Sequence, residues 1–260
     1  MQHDRFSTFV EDSEMTRQAA VIALDSESQV TGISSSMPTA NRYQMPDLSV
    51  QLTDELIMQH IKRSSRVIDL GCGDGRLMQR LRDELGCTAM GVEVEHANIV
   101  SVIERGLPAI EADLNEGLVD VPNDSFDYAV LSQTLQQVRH PKKLLLEMLR
   151  VAHRALIVVP NFGHWRVRLE VLRRGRTPIT HALPYEWYET PNVHFMSMKD
   201  FRDLMDGIGL RIVKESPIIR GRAVDRLMGA NLRADSAFYL LERDPGRDAA
   251  KPAGIAVRTP

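Results

Sequence analysis

The sequence predicts an α/β fold in which a mostly parallel sheet of seven strands is covered by helices on both faces. Short, continuously apolar runs, typical of buried parallel strands, recur between residues 47 and 243. Segments with apolar residues at helical spacing alternate with most of these runs. Because neighbouring parallel strands need crossover connections, and right-handed helical crossovers pack against the sheet, this alternation indicates helices on both sides.

The strands and helices are assigned in chain order from these runs and from the residues that bound them. The seven predicted strands are residues 66–70, 88–93, 107–111, 126–131, 154–159, 210–215 and 237–242. Of the helices between them, one ends at Gly86 and one begins at Pro141, a favoured position in a first turn. A later helix begins after Ser197, whose spacing to Asp200 matches a capping box.

The two ends of the chain differ in composition from this domain. Residues 1–46 are rich in serine and threonine, and residues 244–260 contain three prolines and two glycines. We predict that both segments are disordered and that residues 47–243 form the folded unit. Within that unit, an irregular insert occupies about residues 160–196, after the fifth strand.

The composition excludes several classes of protein. A net charge of −3, from 32 basic and 35 acidic residues, excludes a broadly basic nucleic-acid binder. Two cysteines are too few for a disulfide framework or a four-thiolate zinc site, and the eight histidines include no pair at helical metal-site spacing. No apolar segment approaches the ~20 residues that span a bilayer, and the amino terminus lacks the features of a secretory signal. We therefore expect a cytoplasmic protein without a metal, nucleic-acid or membrane partner.

A glycine-rich loop follows the first predicted strand and precedes a helix. Residues 67–75 read VIDLGCGDG. Glycines permit positive φ and close approach of a ligand to the main chain, and the start of the helix offers unpaired N–H groups. A dinucleotide-binding loop would have a third glycine at position 76, where this chain has Arg76. The G-x-G-x-G form, preceded by Asp69, resembles motif I of class I S-adenosylmethionine-dependent methyltransferases, which implies S-adenosylmethionine as the cofactor.

Residues at the ends of the following strands fit the same cofactor. Glu93, which ends the second strand, can accept hydrogen bonds from both ribose hydroxyls. Asp113, after the third strand, can accept from the adenine amino group, while Val94 and Leu114 cover the ring. Ser132 follows the fourth strand, beneath the position expected for the sulfonium. The predicted cofactor-binding residues are Asp69, Gly71, Cys72, Gly73, Glu93, Val94, Asp113, Leu114 and Ser132.

These residues also have structural interpretations. An isolated acid at the end of a strand is more often a solvated loop residue or a helix cap than a ribose ligand. Cys72 is more often a small residue that fits its loop than a nucleophile. Glu93 and Asp113 therefore gain weight only from their spacing to the glycine loop.

The insert carries longer motifs that resemble one particular family. Residues 160–165 read PNFGHW, residues 174–178 read RGRTP and residues 183–194 read LPYEWYETPNVH. With MPDL at 45–48 and the glycine loop, they resemble the methionine biosynthesis protein MetW family over about residues 45–243. The resemblance implies a Rossmann-like class I methyltransferase fold, a link to methionine synthesis, and a role as partner or activator of a homoserine O-acyltransferase.

Two other functions stay open. One is a scaffold whose ligand site has decayed. The other is an active small-molecule methyltransferase that uses the insert as a lid over its acceptor. Such an enzyme would need a base for a hydroxyl or amine acceptor, and His164, His194 and Tyr185 are the candidates.

No spacing in the insert identifies a catalytic pair, so the catalytic residues stay unassigned. We favour a structural interpretation of its aromatic and histidine side chains. In this interpretation, His164 and Trp165 tie the insert to the sheet. The insert then has a small aromatic core formed by Tyr185, Trp187 and Tyr188.

An arginine-rich segment follows the PNFGHW motif. Residues 166–176 contain five arginines and one glutamate. Such a segment is usually a solvated helix face. Because Val167, Val171 and Arg174 share one stripe, it could instead bind a partner protein through mixed apolar and guanidinium contacts. Nucleic acid is the less favoured partner, since one short patch would release few counterions.

Overall fold

The computed structural model describes residues 47–180, 183, 185–225 and 227–244. The two segments predicted to be disordered lie outside these residues, apart from Asp244. The described helices are α1 (Asp47–Met58), α2 (Arg76–Leu85), α3 (His96–Glu104), α4 (Pro141–Val151), α5 (Trp165–Arg174), α6 (Met198–Ile208) and α7 (Ala230–Arg233). The strands are β1 (Arg66–Leu70), β2 (Thr88–Glu93), β3 (Ala109–Glu111), β4 (Phe126–Ser132), β5 (Ala152–Pro160), β6 (Leu210–Ile219), β7 (Arg222–Ala223) and β8 (Ser236–Arg243).

The strands form one sheet in the order β3-β2-β1-β4-β5-β8-β6-β7. The five strands from β3 to β5 pair in parallel, and β8 lies antiparallel between β5 and β6. The predicted α/β class with a largely parallel sheet is confirmed. The strand number differs, because the two-residue β7 pairs with the end of β6 and is too short to give an apolar pattern.

Helices cover both faces of the sheet, as predicted, and bury a core on each side. Neighbouring residues of β8 show the division, since successive side chains of a strand point to opposite faces. Tyr239 stacks on Phe201 of α6, with 4.1 Å between the ring centroids, in the core that also contains α4. Phe238 belongs to the opposite core, together with Ile57 of α1 and Leu81 of α2.

The helix ends follow the predicted signals. Gly86 caps α2 with a φ of 67°, Pro141 opens α4, and Ser197 forms the capping box of α6 with Asp200. Helix α1 was not predicted, although it supplies part of the second core. Within the described ranges, no helix is long and apolar enough to cross a membrane.

Candidate functional site

The glycine loop occupies residues 71–75, between the end of β1 and the start of α2. The backbone N–H groups of Gly71 and Cys72 donate to the Val92 carbonyl at 2.8 and 3.2 Å, so the loop is fixed to the end of β2. Gly71, Gly73 and Gly75 have φ values of 72°, 55° and 77°, which side chains rarely tolerate.

The three glycines serve different purposes. A Cβ atom on Gly71 would lie 2.7 Å from the Thr134 hydroxyl, and one on Gly75 would lie 3.0 Å from Val102. These two glycines are therefore required by packing. A Cβ on Gly73 would meet nothing within 4 Å, so the main chain at this residue borders open space. This is the position where a ligand can approach the backbone.

Glu93 joins the glycine loop to the end of β2. Its side chain is buried, and Oε2 accepts from the backbone N–H of Gly73 at 2.8 Å. Oε1 accepts from the N–H groups of Val94 and Glu95 at 2.9 and 3.1 Å. A carboxylate offers about four acceptor positions, so these three bonds hold Glu93 in place and leave capacity for a further donor.

The side chain of Asp69 lies in an environment that disfavours its negative charge. Its residue is 3% exposed, and this burial, together with the nearby carboxylates of Asp54 and Glu93, raises its pKa to about 7 against the opposing influence of Arg76. Near neutral pH, the group is thus poised between its two protonation states. A cation beside it would relieve the cost of its negative charge.

Asp54, on α1, is a residue of the site that the sequence did not reveal. It is 4% exposed and pairs with the guanidinium of Arg76, the first residue of α2. Arg80 lies 3.8 Å away, and burial nonetheless raises the Asp54 pKa. The pair connects α1 to the residue that follows the glycine loop. Its 22-residue separation gives no local sequence signal.

The other predicted cofactor residues lie along the same edge of the sheet. Val94 is 65% exposed, whereas Leu114 is half-buried against the main core. Asp113 is exposed, and its Oδ1 accepts from the backbone and side-chain amides of Asn115. Ser132 is the last residue of β4. These four residues lie near the carboxyl ends of β2, β3 and β4, where open parallel sheets bind ligands.

Cys72 has the geometry of a packing residue. Its side chain is buried, and a Cβ atom on Gly91 would lie 2.5 Å from its sulfur. Burial raises the pKa of the thiol to about 12, so it is protonated at neutral pH. The sulfur fills the space that Gly91 leaves, and the cysteine is not activated as a nucleophile.

Asn161 begins the insert and holds it through four hydrogen bonds. Its residue is 2% exposed, and Nδ2 donates to the carbonyls of Asn231 and Ala234 at 3.1 and 2.8 Å. Oδ1 accepts from the N–H groups of Gly163 and Met198 at 3.0 and 3.3 Å. One side chain therefore ties together the insert, the start of α6 and the region of α7.

Replacing Asn161 with alanine is expected to destabilise the protein by about 3–5 kcal/mol, because four backbone groups, three of them in buried hydrogen bonds, lose their partner. Urea unfolding monitored by circular dichroism would measure the change. The matched control is Asn98→Ala on the partly exposed surface of α3, for which we expect a change within about 0.5 kcal/mol. A loss at Asn161 no larger than that of the control would contradict the role assigned to this side chain.

His164 is engaged on both sides of its ring. It is 8% exposed, and Nδ1 accepts from the Arg166 N–H at 3.2 Å as the N-cap of α5. Nε2 lies 3.6 Å from an Asp235 carboxylate oxygen, and burial lowers the pKa of the ring. The His164 ring is therefore neutral at pH 7. It fastens the insert, in agreement with the interpretation of this histidine as a structural residue.

The aromatic core predicted for the insert is wrong for two of its three members. Trp187 and Tyr188 are 69% and 65% exposed, and they contact each other edge to face on the surface. Tyr185 is partly buried, and this burial raises its pKa. The close aromatic pair is instead Phe162 and Phe195, with 4.4 Å between centroids. The residue types alone indicated that these aromatic rings make contacts, but they did not indicate which rings face solvent.

The last part of the insert reaches the carboxyl end of β4. The N–H groups of Val193 and His194 donate to the Gln136 carbonyl at 2.9 and 3.0 Å, and Gln136 lies in the short turn Leu135–Gln137 that follows Ser132. The side-chain oxygens of Gln136 and Asn192 are both buried, and neither has a hydrogen-bond partner among the described residues. Sequence reasoning did not identify either amide.

The strand order and the glycine loop at the first crossover define a class I methyltransferase-like α/β protein. The chain is similar in fold to a Thermotoga maritima S-adenosylmethionine-dependent methyltransferase described as a possible histamine N-methyltransferase, with a TM-score of 0.56, 16% identity, and 75% of this chain and 91% of that chain covered. It is also similar to the cyclase SpnF, with a TM-score of 0.54, 14% identity, and 74% and 80% covered. Since one fold carries different activities, these likenesses show the fold alone.

The family is shown by the sequence itself. Residues 53–241 match the model for methionine biosynthesis protein MetW, and the chain belongs to this family. It is 34% identical over 209 residues to a bifunctional methionine biosynthesis protein MetXA/MetW of Rhodopirellula baltica. That alignment covers 76% of this chain and 34% of the relative, so the chain spans about a third of the relative's length.

Proposed function

We propose that this chain binds S-adenosylmethionine and acts with a homoserine O-acyltransferase in methionine synthesis. The main support for the cofactor is the hydrogen bond from the Gly73 N–H to Glu93, which places an acidic acceptor beside open backbone. The partner is supported by the family resemblance and by the relative that unites MetXA and MetW in one chain. Fusion keeps two units at high effective concentration, as suits proteins that work in contact.

The charges and hydrogen-bond acceptors of the site residues suit this cofactor. Asp69 would bind the ammonium group of the methionine part, and Glu93 would accept from the ribose. Gly73 would leave room for the ligand against the main chain, while Val94 and Leu114 would cover the base. The bound cofactor would supply a positively charged sulfur that carries a transferable methyl group.

Replacing Gly73 with leucine is expected to weaken S-adenosylmethionine binding by about 100-fold, because the new side chain occupies the space beside the loop. The matched control is Gly106→Leu. Gly106 has a φ of 68° and likewise meets nothing within 4 Å, but it lies near the amino end of β3. Both variants carry a similar backbone strain. Titration calorimetry with S-adenosylmethionine would measure the effect, and equal affinity of the two variants would argue against the site.

The partner half of the proposal is tested by acyltransferase activity. The purified homoserine O-acyltransferase from the same organism would be assayed alone and with this chain, in the presence and absence of S-adenosylmethionine. We expect higher activity with the chain. A ligand changes the affinity of two partners only if it binds their free and joined states differently, so the four conditions also measure coupling. No effect of the chain in any condition would contradict this half.

A small-molecule methyltransferase is the second candidate, and the buried oxygens of Gln136 and Asn192 favour it. Two unpaired acceptors beside the end of β4 would suit the N–H or O–H donors of a methyl acceptor. Incubation with a cytosolic metabolite extract would test this function through release of S-adenosylhomocysteine. Turnover that depends on the extract would support it, and its absence would leave the partner role as the better conclusion.

A further inference from the structure

Helix α5 exposes most of its apolar side chains. Of its residues, Val167 is buried, whereas Trp165, Leu169 and Leu172 are 44%, 39% and 82% exposed. The spacing of these three residues places them along one side of the helix. Helix α5 therefore contributes little to the core of this domain. Exposed hydrophobic strips of this kind often mark sites of protein–protein interaction.

The same helix concentrates positive charge on a chain that is acidic overall. Residues 166–176 contain five arginines and one glutamate, on a protein with a net charge of −3. Arg174 pairs with Glu170 at 2.7 Å, and Arg168 donates to the Gly163 carbonyl. The remaining arginines keep the segment cationic. An acidic partner surface would therefore be attracted to it, and such complementarity speeds and orients association.

A groove of about 510 Å³ runs beside this strip, between α5 and the segment that follows it. Its apolar lining comes from Trp165, Leu169 and Ile179. Its positive charge comes from Arg166 and Arg173. The Arg166 guanidinium lies 5.4 Å from the centre of the Trp165 ring. Tryptophan and arginine are the residues most enriched among the side chains that dominate binding energy at interfaces.

We propose that α5 and residues 175–180, here called the arginine face, form the docking surface for the homoserine O-acyltransferase. The inference rests on the proposed function and adds the surface through which it acts. The cationic groove requires a partner surface that is acidic with apolar contacts. A second copy of this chain fits poorly, because a two-fold interface would bring the same cationic patch against itself.

The test measures affinity between the full-length chain and the purified homoserine O-acyltransferase by titration calorimetry. We expect the double variant Arg173→Glu/Arg174→Glu to bind at least about 10-fold more weakly, and Trp165→Ala to lose a similar factor. The matched control is Lys62→Glu/Arg63→Glu, an equal charge reversal on exposed residues after α1, which should stay within about twofold. Unchanged S-adenosylmethionine affinity would show that the variants are folded.

The outcomes separate this inference from the proposed function. If the unaltered chain fails to bind the acyltransferase, the proposed function fails and the docking surface fails with it. If the unaltered chain binds and the variants of the arginine face bind equally well, only the docking surface is overturned. Two other results would assign the arginine face to a different occupant and overturn the docking surface. One is self-association of the chain in sedimentation that the charge-reversed variant loses. The other is binding of a synthetic peptide of residues 1–46 to the arginine face.

Discussion

Replacing Asp69 with asparagine is expected to stabilise the unliganded protein at pH 8 by about 2–4 kcal/mol. The Asp69 pKa is about 7 in the folded protein, against 3.8 for a free side chain. A raised carboxyl pKa means that folding favours the protonated form. The cost of burying the charge is absent below pH 4, grows as the pH rises towards 7, and is complete above it. Asparagine carries no charge and removes this cost.

The stability gain should therefore depend on pH. Urea unfolding of the wild type and of Asp69→Asn would show similar free energies below pH 4 and a difference that grows from there towards pH 8. The matched control is Asp74→Asn in the same loop, where the carboxylate is exposed and pairs with Arg105. It should show no such gain. A difference between wild type and Asp69→Asn that is the same at pH 5 and pH 8 would contradict the burial of a costly charge.

The same group should make cofactor binding depend on pH. Only ionised Asp69 can pair with the ammonium of S-adenosylmethionine, so below pH 7 binding must first remove a proton. We expect the affinity to fall about 10-fold from pH 8 to pH 6 in the wild type. In Asp69→Asn, it should be weaker throughout and nearly flat over this range, as titration calorimetry can measure. In the proposed site, the same buried carboxylate would account for both the stability cost and the pH dependence of binding.

The parts of the molecule that could be predicted from sequence are those encoded over short distances. The apolar runs gave the seven main strands, and the glycines of the first loop lie where positive φ values are found. Glu93 was singled out because it ends β2 at a fixed spacing from that loop. Its predicted place near the loop agrees with its bond to Gly73. Local backbone demands leave a mark on neighbouring residues, and a sequence pattern can reveal them.

The features that sequence reasoning missed depend on partners far apart in the chain. Asp54 lies on a helix that was not predicted, and it pairs with Arg76, 22 positions further along the chain. Asn161 donates to the Asn231 carbonyl, 70 positions further along. Neither position carries a local pattern. The exposure of Trp187 and Tyr188 likewise follows from how the insert packs, since their residue types alone favoured burial. Tertiary contacts decide these cases.

Replacing Glu93 with alanine is expected to abolish detectable S-adenosylmethionine binding, a loss of at least about 100-fold. The carboxylate accepts from three backbone N–H groups and would also accept from the ribose. Its removal leaves those donors without their partner, so the free energy of unfolding should fall by about 2–4 kcal/mol. The matched control, Glu95→Ala, alters an exposed neighbouring acid and should leave affinity and stability nearly unchanged.

Loss of binding in Glu93→Ala has two possible causes, a disordered loop or a missing ribose contact, and a cycle with a second ligand separates them. S-adenosylhomocysteine and its 2′-deoxy analogue would be titrated into the wild type and into Glu93→Gln, whose amide keeps the size of the side chain. If Glu93 accepts from the ribose, removing the hydroxyl costs about 10-fold in the wild type and little in the variant. An equal cost in both proteins would limit Glu93 to holding the loop, and the ribose would then require another acceptor.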